Sequence, residues 1–305
     1  MSQYSKTVHS DILQHPAPKW RTTTFQMDVN GALLTLSSIG PEAGIPIILL
    51  HGGRGFGTHD AVFATYANLA GSYRVIGFDM RGHGRSEAQS PFTFAQMVDD
   101  IECIRQKLCN NQKIILLGGS FGGMIALSYA ITHPHALEAL ILRGTAPSWH
   151  HELGALENFK NRAQHAPMAT EQMLEKVFTP TIVNDEEFRL IMFAIAPLYE
   201  ENPDTLDRNK LALQISTTRY NARVHNDLFA DHSYDVTHGL KSITCPTLIM
   251  CGANDWICPK DQSELIAKDI PHAELKIIPN TNHAIPPDTA YQLVSDFLSK
   301  HVRPL

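Results

Sequence analysis

Apolar runs alternate with stretches of helical spacing through the first half of the chain, and that alternation predicts its architecture. Ile45 to Leu50, Tyr73 to Phe78, Ile114 to Leu117 and Leu137 to Leu142 read as strands buried on both faces of a sheet. Asp60 to Ala70 and Phe94 to Leu108 read as helices, the second from the spacing of Met97, Ile101, Ile104 and Leu108. Strand and helix in repeated succession give an α/β chain with a mainly parallel central sheet and helices on both faces. Ahead of this series, Thr22 to Met27 and Ala32 to Ser38 flank Asn30-Gly31, a two-residue turn signal that predicts an edge hairpin. Residues 1 to 20, with Pro16 and Pro18, read as an irregular lead-in.

From about Ala146 to Asp235 the strand pattern disappears. Thr170 to Val177, Asp185 to Leu198 and Thr205 to Thr218 read as helices among the breakers Pro180, Pro197 and Pro203. The aromatic and apolar residues there, Phe159, Phe178 and Phe188 among them, read mainly as that region's own packing. Strands resume at Pro246 to Cys251 and Glu274 to Ile278, and Asp288 to His301 forms a closing helix. The expected division is therefore a sheet-bearing domain of residues 1-145 and 236-305, with a helical insertion at 146-235.

Composition narrows the function. A chain of 305 residues with 43% hydrophobic residues can bury one large core with an insertion. A formal charge of -6 without clustered basic residues argues against nucleic-acid binding. Met1 to Leu13 lacks the apolar run of a signal peptide, and no segment approaches the roughly 20 apolar residues of a membrane span. A cytoplasmic protein without membrane association is expected. The five cysteines are odd in number and show no CxxC pair, which predicts reduced thiols. His150-His151 is not expected to hold a metal, because adjacent side chains rarely converge on one ion.

Candidate chemistry begins at Gly118-x-Ser120-x-Gly122, between a predicted strand and a predicted helix. A serine at such a turn takes a strained backbone angle that lifts its hydroxyl above the sheet, the arrangement of a nucleophile elbow. After the strand Ile45 to Leu50 comes His51-Gly52-Gly53-Arg54-Gly55. Glycines there allow a backbone N–H to face a developing oxyanion, and Gly53 with Phe121 are the candidate donors. The loop has neither GxxxxGK[ST] nor GxGxxG spacing, which argues against nucleotide binding. His51 reads as a residue that holds the loop.

With the segment Asp79-Met80-Arg81-Gly82-His83-Gly84-Arg85-Ser86 added, the chain resembles the α/β-hydrolase superfamily. HGG-x-G together with GGS-x-GG is most similar to its proline iminopeptidase branch, although Arg54 replaces the proline usual in HGG-P-G. The resemblance implies the α/β-hydrolase fold and a helical cap over the active-site mouth. It also implies a structural role for Asp79 and Arg81. By the family pattern G-x-x-D, Asp255 carries the triad acid and His283, in Asn282-His283-Ala284, the base. The chain order Ser120, Asp255, His283 is the order of these hydrolases. The implied activity is release of an N-terminal residue, often proline, from a short peptide or other small amide, without cofactor or metal. That activity needs carboxylates in the cap for the substrate ammonium, and Glu152, Glu157, Glu171, Glu175, Glu186, Glu187, Glu200 and Glu201 lie in that region. Most of them read as solvated helix faces. Two alternatives stand beside it. One is a carboxylesterase, lactonase or C–C bond hydrolase acting on a small metabolite, and the other is a non-catalytic ligand-binding protein.

Overall fold

Asn30 and Gly31, at φ 50° and 77°, fold the chain back on itself and begin the sheet. Two successive positive φ angles match the right-handed twist of the flanking strands, and asparagine and glycine are the residues that tolerate them. The computed structural model describes residues 20–230 and 234–303, so the expected irregular lead-in lies, apart from Trp20, outside the described residues.

In chain order the elements are β1 (Thr23–Val29), β2 (Ala32–Ile39), β3 (Ile45–Leu50), α1 (Asp60–Tyr66), β4 (Tyr73–Phe78) and α2 (Phe94–Leu108). Then follow β5 (Ile114–Gly119), α3 (Phe121–Thr132) and β6 (Leu137–Arg143). The eight strands of the sheet lie in the order β1-β2-β4-β3-β5-β6-β7-β8, where β7 is Thr247–Gly252 and β8 is Glu274–Ile278. β1, β2 and β4 pair antiparallel, and every pairing from β4 to β8 is parallel. The expected α/β class and mainly parallel sheet are borne out.

Alternate residues of the central strands feed opposite layers, as the period of two requires. Ile48, Leu50, Leu116 and Leu142 pack with Ile101, Ile104, Met124 and Leu127 on one face. Ile47, Leu49, Leu117 and Ile141 pack with Phe63, Tyr66, Val294 and Phe297 on the other. Tyr66 ends α1, and the expected helix up to Ala70 continues instead as a tighter turn, Ala67–Gly71.

Between β6 and β7 the described elements are helical: α4 (His151–Arg162), α5 (Glu171–Val177), α6 (Asp185–Ile195), α7 (Arg208–Thr217) and α8 (Ala222–Phe229). α9 (Lys260–Asp269) and α10 (Pro287–His301) complete the chain. α7 begins at Arg208 because Asp207 caps it, accepting from the N–H groups of Asn209 and Lys210 at 3.0 Å. α4, α8 and α9 were not anticipated. Phe159, Phe178, Phe188 and Tyr220 form a separate apolar cluster that Trp256 joins from the loop after β7. Among the described residues no helix is long and apolar enough to cross a membrane.

The loop after β4 is structural, as expected. Asp79 accepts hydrogen bonds from the N–H and Nδ1 of His59 and from the N–H and Nε of Arg85. Those donors hold its carboxyl well below the usual carboxylate range, although burial opposes them. Arg81 forms a forked pair with Asp100 at 2.9 and 2.7 Å and donates to the carbonyls of Val29 and Gln89. Both members of that pair are buried. Asp100→Ala would leave the guanidinium uncompensated and is expected to cost about 3–5 kcal/mol. Its exposed neighbour, replaced as Asp99→Ala, is expected to shift stability by no more than about 0.5 kcal/mol. Urea unfolding of the two variants measures the difference, and equal small losses would contradict it.

Candidate active site

β5 stops at Gly119, and the chain turns into α3 through a single residue. Ser120 takes φ 54° and ψ −125°. Its N–H donates to the Arg143 carbonyl at 2.9 Å, extending the sheet ladder by one rung. Its own carbonyl accepts from the N–H groups of Gly123 and Met124 and from Thr145 Oγ1. The glycines of the motif are required by close approach. A Cβ on Gly118 would lie 2.3 Å from the Gly122 carbonyl oxygen, and one on Gly122 would lie 2.5 Å from that of His51. The Ser120 side chain opens onto a cavity of about 870 Å³.

The loops after β7 and β8 meet beside this cavity. Asp255 is buried; its Oδ1 accepts from the N–H groups of Ile257 and Cys258, and its Oδ2 accepts from His283 Nδ1 at 2.8 Å. A ring that donates through Nδ1 leaves the Nε2 lone pair available when neutral. Asn282 fixes the loop that carries the ring. Its Oδ1 accepts from the N–H of His283 at 2.8 Å, and its Nδ2 donates to the Leu198 carbonyl at 2.8 Å. Gly144, at φ 47°, leaves room for the pair, since a Cβ there would lie 2.9 Å from Asp255 Oδ2. His283 and Ser120 line the same cavity. No hydrogen bond within 3.5 Å joins their side chains among the described residues, and such contacts commonly tighten when substrate binds.

Gly53 and Phe121 line the cavity as well. Gly53 has φ 89°, and a side chain there would meet the Phe56 carbonyl oxygen at 2.5 Å. Phe121 opens α3, so its N–H has no intrahelical acceptor. The loop is held by buried histidines. His51 Nε2 accepts from the Met80 N–H, and His83 Nε2 accepts from the Gly55 N–H at 2.9 Å. Burial keeps both rings neutral, lowering His51 and pushing His83 down to about 3.

Four of the five residues expected at the site, Gly53, Ser120, Phe121 and His283, line one cavity, and Asp255 is buried behind His283 and bonded to it. Most of the acidic residues of the helical region are exposed, as expected, and Glu152 is the exception. It is buried in α4, and desolvation raises its carboxyl to about 7 against the opposing effect of Arg54. Glu200 lies on the cavity wall. Sequence reasoning passed over Gly144 and Asn282. Only the position of Asn282 beside His283 signals either one.

Residues 45–289 match the profile of the alpha/beta hydrolase fold. The proline iminopeptidase PfmaB of Pestalotiopsis fici is 42% identical over 262 residues, covering 85% of this chain and 92% of the relative. A proline iminopeptidase of Levilactobacillus brevis is 29% identical over 269 residues, covering 84% and 89%. Among solved structures, the esterase RhEst1 of Rhodococcus superposes with a TM-score of 0.71 at 21% identity over 92% of this chain and 99% of its own. This chain belongs to the α/β-hydrolase fold family and is a hydrolase. Within that family it falls in the proline iminopeptidase-like branch.

Two outcomes follow from the geometry. Gly144→Ala forces a Cβ against the Asp255 carboxylate in a left-handed backbone and is expected to lower kcat at least tenfold while the chain stays folded. Unchanged turnover in a steady-state assay would contradict that. Burial depresses His83 to about 3 and His151 and His225 to about 4, below the ordinary value of 6.5. Between pH 6.5 and 4 these rings take up protons in the unfolded chain first, so stability present above pH 6.5 is lost as the pH falls. Urea unfolding across this range is expected to show a shallower loss in His83→Gln than in the wild type.

Proposed function

We propose that the chain is a serine hydrolase acting through an acyl-enzyme, with Ser120 as nucleophile, His283 as general base and Asp255 as the residue that orients it. The observation that carries this reading is the 2.8 Å bond from His283 Nδ1 to a buried Asp255, with His283 itself on the wall of the cavity into which Ser120 opens. Serine is too weakly acidic to attack a carbonyl unaided. His283 Nε2 takes the Ser120 proton as Oγ attacks, and the adjacent carboxylate stabilises the imidazolium. Charge gathering on the carbonyl oxygen is met by the N–H groups of Gly53 and Phe121, each such donor being worth roughly 2.7–4 kcal/mol. His283 then protonates the leaving group, and water deprotonated by the same ring releases the acid. In this proposal residues 1-145 and 236-305 form the catalytic domain and 146-235 the cap. The five unpaired thiols fit a reducing, cytoplasmic setting.

The substrate reading is release of an N-terminal residue, proline in particular, from a short peptide or small amide. The names of the relatives support it, as does Glu200, a carboxylate on the cavity wall that can take an ammonium group. A second reading, hydrolysis of a small acyl ester, is favoured by the charge of the lining. Arg54, Arg85, Arg143 and Arg219 face two carboxylates, Asp60 and Glu200, and Asp60 is already paired with Arg85 at 2.8 Å.

Ser120→Ala and Asp255→Asn are each expected to lower kcat/KM by about 10⁴ on whichever of a prolyl arylamide or a short-chain aryl ester the wild type cleaves. Glu200→Gln is expected to raise KM at least tenfold for the arylamide and to leave ester hydrolysis near wild type. Retained turnover in Ser120→Ala would end the serine-hydrolase reading. An unchanged KM in Glu200→Gln would remove Glu200 from the amine site.

A further inference from the structure

Beside Gly53 the loop carries Arg54, whose guanidinium has few polar partners among the described residues. Its one hydrogen bond among the described residues goes to Met124 Sδ at 3.4 Å, a weak acceptor. It forms no ion pair within 4 Å among those residues. Glu152 is the carboxylate that acts on it from farther away, and burial raises that carboxyl above its ordinary value. Desolvation brings Arg54 down to about 10, still charged at any physiological pH.

The group is nonetheless held in place. Its central carbon lies 3.8 Å from the ring centroid of Phe229 and 5.5 Å from that of Phe121. On either side of the main chain, His83 Nε2 accepts from the Gly55 N–H, and the Gly55 carbonyl accepts from the Asn221 N–H. Rings against the faces of a guanidinium leave its edge donors for another partner, and Arg54 lines the same cavity as Ser120. Phe121 and Met124 stand on the first turn of α3, directly after Ser120, so the cation sits above the elbow itself.

A desolvated, pre-positioned fork with no carboxylate within 4 Å among the described residues is complementary to one supplied from outside. We propose that Arg54 binds a carboxylate of the substrate within reach of Ser120, so that this cavity selects substrates bearing a negative charge near the scissile carbonyl. The inference rests on the reading of Ser120 as nucleophile only for its consequence in turnover, because binding does not require it. The carboxylate is supplied by the C-terminus of a short peptide, whose ammonium group Glu200 can take, or by an acyl chain that ends in an acid.

Calorimetric titration of the full chain with adipate and with adipamide at pH 7.5 tests the charge alone. Wild type is expected to bind adipate at least tenfold more tightly; Arg54→Gln is expected to lose that preference and Arg54→Lys to keep part of it. Equal affinity for the two in the wild type, including no binding of either, would overturn the proposal, as would an unchanged preference in Arg54→Gln. The wild-type comparison stands even if a variant does not fold. Two turnover arms separate the sources, Pro-Gly against prolyl-glycinamide and monomethyl adipate against methyl hexanoate. The pair whose kcat/KM ratio exceeds tenfold and collapses in Arg54→Gln identifies the carboxylate. If adipate binds through Arg54 while Ser120→Ala leaves turnover intact, the nucleophile assignment fails and the anion site remains.

Discussion

The positive φ of Ser120 is the constraint on which the rest of the site depends. A non-glycine residue in that region costs on the order of 1–3 kcal/mol and persists only where its surroundings over-determine it. Here they do. β5 lies between β3 and β6, all six of its residues are buried, and α3 packs directly on its end. The Ser120 N–H and carbonyl are both committed, to Arg143 on one side and to Gly123, Met124 and Thr145 on the other. Relaxing the angle would break these bonds and push backbone atoms into the space that Gly118 and Gly122 leave empty. The hydroxyl therefore has one direction to face, out over the carboxyl ends of the strands. In open sheets of this type, the loops after parallel strands converge there.

What those loops bring is held mostly by histidine and asparagine side chains bonded to main chain. His51 ties the loop after β3 to the start of the loop after β4, and His83 ties the latter back to Gly55. Asn282 links the loop carrying His283 to the helical region at Leu198 and Glu200. Burial keeps His51 and His83 neutral, so each can accept from an N–H through one ring nitrogen while donating through the other. The same network positions the cavity wall that carries Glu200 and the loop that carries Arg54. Local charge at the site is thus set by the same contacts that shape it.

Much of this was legible in the residues because it depends on local pattern. Buried parallel strands are continuous apolar runs, and Asn30-Gly31 and Gly118-x-Ser120-x-Gly122 need their glycines wherever they occur. The helices missed had weaker signals. α4 carries Gly154 as its fourth residue, where a Cβ would come within 3.2 Å of Pro259, so helix propensity is given up for a tertiary approach. α8 is eight residues long, and Asn221 caps it by accepting from the Val224 N–H. Its apolar residues, Ala222, Val224, Leu228 and Phe229, do fall at helical spacing, but the run is only about two turns long. The burial of Glu152 and the exposure of Arg54 to the cavity are properties of three elements meeting, which a linear pattern does not carry. Gly144 is the same kind of case, because its need for a bare Cα comes from Asp255, more than a hundred residues away.

The central claim is that one strained serine, opposite an imidazole held by a buried carboxylate, is the reactive group of this chain. Intact-protein mass spectrometry after exposure to a fluorophosphonate, followed by peptide mapping, tests it directly. The account predicts a single adduct on the peptide that contains Ser120, and none on the Ser120→Ala protein. No adduct on the folded wild-type chain, or an adduct on another residue that persists in Ser120→Ala, would contradict it.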